Sequence, residues 1–298
     1  MSKIVSSARI PIIILLLAVM LLSLGCTKEA TPAVEEPPPK LKVVTTTSLI
    51  SSLVEAIAGG EAEVANIIPP AQCPGHFDIG PDAIRMLSDG DLFLMHGWQG
   101  ETFTDKLIES ADNPKLKVVV LKAKGNWMTP PVQAEAVGEI ASALAEVDHE
   151  NKVLYEGKAA ELKEAIQAKG NELKSVLEAN GLTGVKAICA EMQVGFVKWA
   201  GFDVVASYGR PDELAPQVLQ DLIDTAKEAK VHLVIDNLQS GAKVGVGMAE
   251  EIGGATQQVT LSNFPGAFVG TETWAKAIEK NVNLLIEAHA RYKAACPP

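Results

Sequence analysis

Two side chains able to ligate a metal stand three apart in Cys73-Pro74-Gly75-His76. A thiolate and an imidazole at this C-x-x-H spacing can reach one ion from a single loop, and the pairing suits Zn²⁺ and softer cations. His96, closing the apolar run 91–96, offers another nitrogen, and Met95 beside it would move the preference toward copper. The spacing leaves plainer roles open: Cys73 as a small apolar residue, His96 as a partner of loop backbone. His149 and His289 lie in helical stretches among charged residues and are expected at the solvated surface, whereas His232 opens a strand and is expected to be structural. For bond chemistry the chain lacks a G-x-S-x-G elbow and a Walker A loop. Gly245-Val246-Gly247 runs on to Glu250 where a dinucleotide fingerprint needs a third glycine. Glu250-Glu251 falls in a helical pattern and reads as a solvated face. These features point to binding rather than catalysis.

The elements that must position the candidates follow from hydrophobic periodicity. Strand-like runs at 41–46, 62–69, 91–96 and 116–122 alternate with helical patterns near 49–58, 82–88, 102–110 and 132–146. The second half repeats the plan, with strands at 185–190, 203–207, 231–236 and 258–261 and helices near 193–200, 215–229, 242–252 and 272–291. Such alternation predicts parallel sheets covered on both faces. Between the halves, 148–181 has no proline, and Leu154, Leu162, Ile166, Leu173 and Leu177 recur at the helical period. Asp148 is the expected N-cap and Asn180-Gly181 the expected stop, giving a helix roughly 45 Å long at 1.5 Å per residue.

The predicted fold class is therefore α/β: two lobes with mainly parallel sheets, 41–147 and 182–298, bridged by one long helix, 148–181. Ligands of open parallel sheets bind beyond the carboxyl ends of the strands. Segments 70–81, 96–101 and 123–131 should then face 191–193, 237–240 and 262–266 across a shared cleft. Asn237 would line it, and Trp98 and Trp127 would form core or cleft wall.

At 298 residues the chain is long enough for two cores, and its 47% hydrophobic and 21% charged content is ordinary for a globular protein. Lys3 and Arg9 are the only charges before Cys26, so the remainder carries 24 basic and 37 acidic residues, net −13. That balance argues against a nucleic-acid partner. Residues 1–25 read as a signal peptide, with an apolar run 10–22 too short for a comfortable membrane span. The run ends in Leu22-Ser23-Leu24-Gly25-Cys26, similar to a lipobox, which makes Cys26 the expected lipidation site. Residues 26–40, rich in Pro and Glu, are expected to be a disordered tether. Cys73, Cys189 and Cys296 allow one disulfide and a free thiol, or no disulfide; Cys189 with Cys296 is the pair to test, which would leave Cys73 free.

Seven stretches together carry a more specific resemblance: VVTTTSLISSLVEAIAGGEAEV, the IIPP before the Cys73 loop, and GPDAIRMLSDGDLFLMHG; then NWMTP, VGFVKWAGFDVV, VHLVIDNLQ, and the helix after Thr271. Over 41–291 the chain resembles the zinc- and manganese-binding lipoproteins of ABC importers, the TroA/ZnuA-like family. The resemblance implies two lobes on one long helix and a metal ion held by four ligands between them. The first ligand falls on His76. The second falls on Gly125, the third on Glu191 and the fourth on Ser262 or Asn263, so only His76 keeps its type. Glu191 could substitute, and Cys73, His96 and Asn263 lie where they could complete a mixed set suited to Zn²⁺, or to copper if Met192 or Met95 takes part. The short loop 123–126 lacks the His-rich insertion of some zinc importers. The implied function is extracytoplasmic capture of a transition-metal ion, zinc or manganese, as the transported ligand, by a monomer without enzymatic activity. Its partners would be the importer's membrane permease and ATPase, with the membrane reached through the lipid anchor. Two other readings stay open: an organic ligand or metal chelate held between Trp98 and Trp127, or a surface adhesin or scaffold without transport.

Overall fold

Among the described residues eight short strands form two parallel sheets, in which the two central strands of each are largely buried and the two edge strands are partly exposed. A computed structural model describes residues 39–97, 101–241 and 243–296; the expected signal peptide, Cys26 and nearly all of the tether lie outside them. β1 (Leu41–Thr45), β2 (Ala62–Asn66), β3 (Leu92–Met95) and β4 (Lys117–Val120) make the first sheet, in order β2-β1-β3-β4. β5 (Lys186–Ala190), β6 (Asp203–Tyr208), β7 (Leu233–Asn237) and β8 (Gln257–Leu261) make the second, in order β6-β5-β7-β8. Every pairing is parallel, with Val43 opposite Leu92 in one sheet and Ile188 opposite Val234 in the other.

Side chains alternate across each strand. Val43, Leu92 and Leu94 join Ala187, Cys189, Leu233 and Ile235 in one continuous core on the inner faces. Val44, Phe93 and Met95 face a separate outer cluster with Leu87 and Leu107, and Ile188 and Val234 face another with Ile223 and Ala226. Each fully buried aliphatic side chain contributes about 1.5–3 kcal/mol, and sealing both faces holds the sheets in register.

The connecting helices are α1 (Ser48–Ala58), α2 (Pro81–Asp89), α3 (Thr104–Ala111), α4 (Pro130–Val147) and α5 (Lys152–Ala179), then α6 (Val194–Trp199), α7 (Pro216–Ala229), α8 (Lys243–Ile252) and α9 (Trp274–Ala295). Proline opens α2, α4 and α7, where its missing N–H costs nothing. At the start of α9 the Thr273 side chain accepts from the Lys276 N–H.

The long helix α5 starts later than its sequence suggests. Asp148 ends α4, and its carboxylate accepts from the Asn151 N–H (3.3 Å), from Asn151 Nδ2 (2.8 Å) and from the Tyr155 hydroxyl (2.5 Å). These bonds turn the chain, and Asn151 becomes the N-cap. Tyr155, not Leu154, therefore takes the buried position, followed by Ala159, Ile166, Gly170, Leu173 and Leu177. Gly170 is required where α4 crosses: a Cβ there would lie 2.5 Å from Pro130 Cγ. Besides α4, the helix touches α1 of the first half and α9 of the second, which carries the core from one sheet to the other.

Burial decides the cysteine pairing and overturns the surface placement of His289. Cys73, Cys189 and Cys296 are all free thiols. Cys189 lies fully buried within β5, whereas Cys296 is exposed beyond α9, so no Cys189–Cys296 bridge forms. Burial pushes the Cys189 thiol up to about 12, which keeps it protonated and inert. His289, expected at the surface, is buried and stacks on His232 with ring centroids 5.5 Å apart, and Tyr292 lies 3.9 Å from His232. Burial holds both imidazoles below their ordinary range, with Lys186 and Lys293 nearby adding to the effect. His149 is exposed, as expected.

Candidate functional site

In both sheets the first strand has neighbours on either side, so the connections leave in opposite directions and open a crevice at the carboxyl ends of the strands. Every strand contributes a loop there, and loops of the two halves touch. Ser48, after β1, donates from Oγ to the Pro265 carbonyl (2.7 Å). Pro70, after β2, accepts from Gln239 Nε2 (2.9 Å). Asn126, after β4, donates from Nδ2 to Asn263 Oδ1 (2.9 Å) and to the Met192 carbonyl (2.8 Å). Gly195 permits this approach, since a Cβ there would lie 2.8 Å from the Asn126 Cβ.

The second half lines the crevice with neutral amides. Asn263 Nδ2 donates to Asn237 Oδ1 (3.2 Å) and to the Met192 carbonyl (3.1 Å), and its backbone N–H donates to Gln239 Oε1 (3.2 Å). Gln193 donates to Asn237 Oδ1 (3.0 Å), and Asn237 donates to Ser240 Oγ (2.7 Å). Behind them Asn281, on α9, accepts from the Ser262 N–H and donates to the Ser262 carbonyl. The network pairs most of these polar groups without introducing charge, while Gln193 Oε1 stays buried without a partner.

Cys73 and His76 flank the single turn Pro74–His76 after β2. The structure brings them together, but around a cation of its own. Arg210, after β6, donates from Nη1 to Cys73 Sγ (2.9 Å) and from Nη2 to His76 Nδ1, while its Nε donates to Asp212 Oδ1 (3.3 Å). His96, after β3, is buried elsewhere: Nε2 bonds Thr47 Oγ1 at 2.7 Å, and its ring meets Trp127 edge-on at 4.4 Å. Burial holds His96 well below the ordinary imidazole range, hence neutral. Glu191 is exposed at the start of the turn Glu191–Gln193. Trp127 is buried, donating from Nε1 to the Ala123 carbonyl and accepting from Trp274 Nε1; Trp98 lies outside the described residues. Asn237 and Asn263 are joined directly. Among the described residues no three His, Cys, Asp or Glu side chains converge closely enough to hold a metal ion. Cys73 and His76 are thus held together by Arg210, but no three of Cys73, His76, His96 and Glu191 gather on one point in this arrangement.

Asn126, Gln193 and Gln239 lie in the segments 123–131, 191–193 and 237–240 that the strand ends place at the cleft, whereas the loop carrying Arg210 is not among those segments. Asn126 stands one residue before Trp127, and Arg210 follows the strand run 203–207 in the same position that marked the other loops.

A family model described as "Zinc-uptake complex component A periplasmic" matches residues 43–288. The chain is 24% identical over 219 residues to the manganese ABC transporter substrate-binding lipoprotein PsaA of Streptococcus mitis, covering 64% of this chain and 70% of that one. It is 25% identical over 251 residues to the metal ABC transporter substrate-binding lipoprotein ScbA of Streptococcus cristatus, covering 75% and 79%. A zinc-bound deletion mutant of ZnuA superposes with a TM-score of 0.70 at 21% identity, covering 84% of this chain and 98% of that one.

Proposed function

The chain belongs to the zinc-uptake complex component A periplasmic family, and from that premise we propose that it is the extracytoplasmic solute-binding component of an ABC importer, with a transition-metal ion as cargo. The observation that carries the reading is the crevice itself: loops of two parallel sheets meet across their carboxyl ends, with Cys73 and His76 on one side. Such a component performs no bond chemistry. It captures the ion between a first lobe (41–147) and a second (182–298) joined by the helix, and presents it to a membrane permease driven by an ATPase.

His76 is the central donor, with Cys73, Glu191, His96 and Asn263 as the residues from which the remaining ligands come; Trp127 and Asn237 support the loops that carry them. Thiolate, imidazole and carboxylate donors suit zinc, and a site weighted toward oxygen suits manganese. Because these donors must be deprotonated to ligate, capture weakens in acid. The lipobox-like stretch supports lipid attachment at Cys26, with 26–40 as the tether.

Elemental analysis of the full-length protein in detergent, followed by titration with Zn²⁺, Mn²⁺ and Cu⁺, tests this. The expected result is about one equivalent of a single metal, lost in His76→Ala. Unchanged affinity in that variant would remove His76 from the site, and absence of binding by every metal would remove the metal reading.

A further inference from the structure

The second half places a permanent cation against the two donors of the first half. Arg210 remains charged at any pH the protein meets, and all three of its guanidinium nitrogens are engaged, by Asp212, Cys73 and His76. A guanidinium has donors only, so the ring nitrogen it meets, His76 Nδ1, must accept. The neutral imidazole then carries its proton on Nε2, and neither ring nitrogen has a lone pair left for a metal. The Sγ of Cys73 is likewise taken up by Nη1. A divalent cation brought to these two donors would also face the guanidinium's charge at close range, an unfavourable arrangement where protein partly excludes water.

We propose that Arg210 is an internal gate for the cleft: it holds Cys73 and His76 while no metal is bound, and an incoming cation obtains them only by displacing it. The inference rests on the reading that the cleft takes a metal ion. The elements concerned can move without disturbing the core. Cys73 and His76 border the turn Pro74–His76, Arg210 precedes the turn Pro211–Glu213, and each turn is a single proline-opened 3₁₀ turn outside the sheets. His76 is exposed, and Arg210 keeps 24% of its side-chain surface in water, so a withdrawn guanidinium would be solvated at once. The contact also joins a loop beyond β2 to a loop beyond β6, so releasing it removes one of several ties across the cleft mouth. The gate would disfavour weakly held ions, since any cargo must outcompete the two hydrogen bonds that engage Cys73 and His76.

Calorimetric titration of the full-length protein with Zn²⁺ and with Mn²⁺ tests the gate, comparing wild type with Arg210→Ala and Arg210→Lys. The expected result is at least roughly tenfold tighter binding in Arg210→Ala, about 1.4 kcal/mol. A smaller gain is expected in Arg210→Lys, which keeps the charge but loses the fork that engages both donors. In metal-free protein, amides of 72–79 should exchange with solvent faster in both variants while the thermal melt stays within a few degrees. Equal or weaker binding in both variants beside a wild type that binds would overturn the gate and leave the metal reading standing. If none of the three proteins binds either metal, both fall together. Binding by Arg210→Ala alone would be the strongest support.

Discussion

The two sheets share one strand order, β2-β1-β3-β4 and β6-β5-β7-β8, yet their loops carry different chemistry. The first half presents nucleophilic donors, Cys73 and His76, on an accessible turn. The second half presents amides that hydrogen-bond one another, Gln193, Asn237, Gln239 and Asn263, together with the cation Arg210. The repeated scaffold depends only on apolar alternation, which many sequences satisfy. The polar tips of the loops beyond the strand ends lie outside the core and are freer to change charge than the strands, although Trp127 and Phe264 in these loops are core residues. The difference shows a shared plan in which the binding chemistry is divided unequally.

The strongest way to break this comparison is to ask whether the halves share a core at all. Trp127 and Phe264 are buried in corresponding loops after the last strand of each sheet, and both belong to the continuous inner cluster. Trp127→Ala and Phe264→Ala should each lose about 3–5 kcal/mol. Urea unfolding followed by circular dichroism should remain a single transition in both variants. Two separated transitions would mean the halves fold independently.

Acid sharpens the comparison next. His96 in the first half and His232 and His289 in the second are held below their ordinary range, chiefly by burial. A histidine whose folded pKa is depressed binds fewer protons when folded than when unfolded. Its contribution is therefore intact above the unfolded value of about 6.5 and is lost as pH falls below it, at up to about 1.4 kcal/mol per pH unit for each group. Melting temperature should fall between pH 7 and 5.5, and the fall should shrink in His96→Gln and His289→Gln. A flat profile in wild type would contradict the burial seen at these rings.

The smallest effect concerns the seam between the halves. Lys169 on α5 pairs with Glu279 on α9 (2.8 Å) and with Glu172 (3.0 Å). Lys169→Met should cost no more than about 1 kcal/mol. The difference in unfolding midpoint should narrow in roughly 1 M salt, where charges are screened within about 3 Å. A loss that grows with salt would rule out an ionic origin.

How far each feature could be read from the sequence follows the range of the interaction behind it. The strands were legible because they make short, β-branched-rich apolar runs bounded by turn residues, most continuous in the central strands that are buried on both faces. The start of α5 was not, because Asp148 looks like a cap until Asn151 and Tyr155 are seen to bond it. Leu154 and Tyr155 both fit a helical stripe, and only packing decides between them. His289 looked solvated beside its charged neighbours, but it stacks on His232, which sits in the bend before β7, far away in sequence. Cleft loops could be listed from strand ends alone. That Arg210 from one half would lie on Cys73 and His76 from the other is a contact over 130 residues of chain, and no local pattern records it.

The continuity of the inner core has a consequence for ancestry. A chain severed after α5 would leave the faces of Leu173 and Leu177 without α9 and the second sheet to cover them, so neither half could travel alone into another gene or be traded for a foreign one. Lineages built on this architecture can alter what they carry only by editing loop tips in place, a few residues at a time. The uneven division of donors between the halves is the kind of record such piecemeal editing leaves.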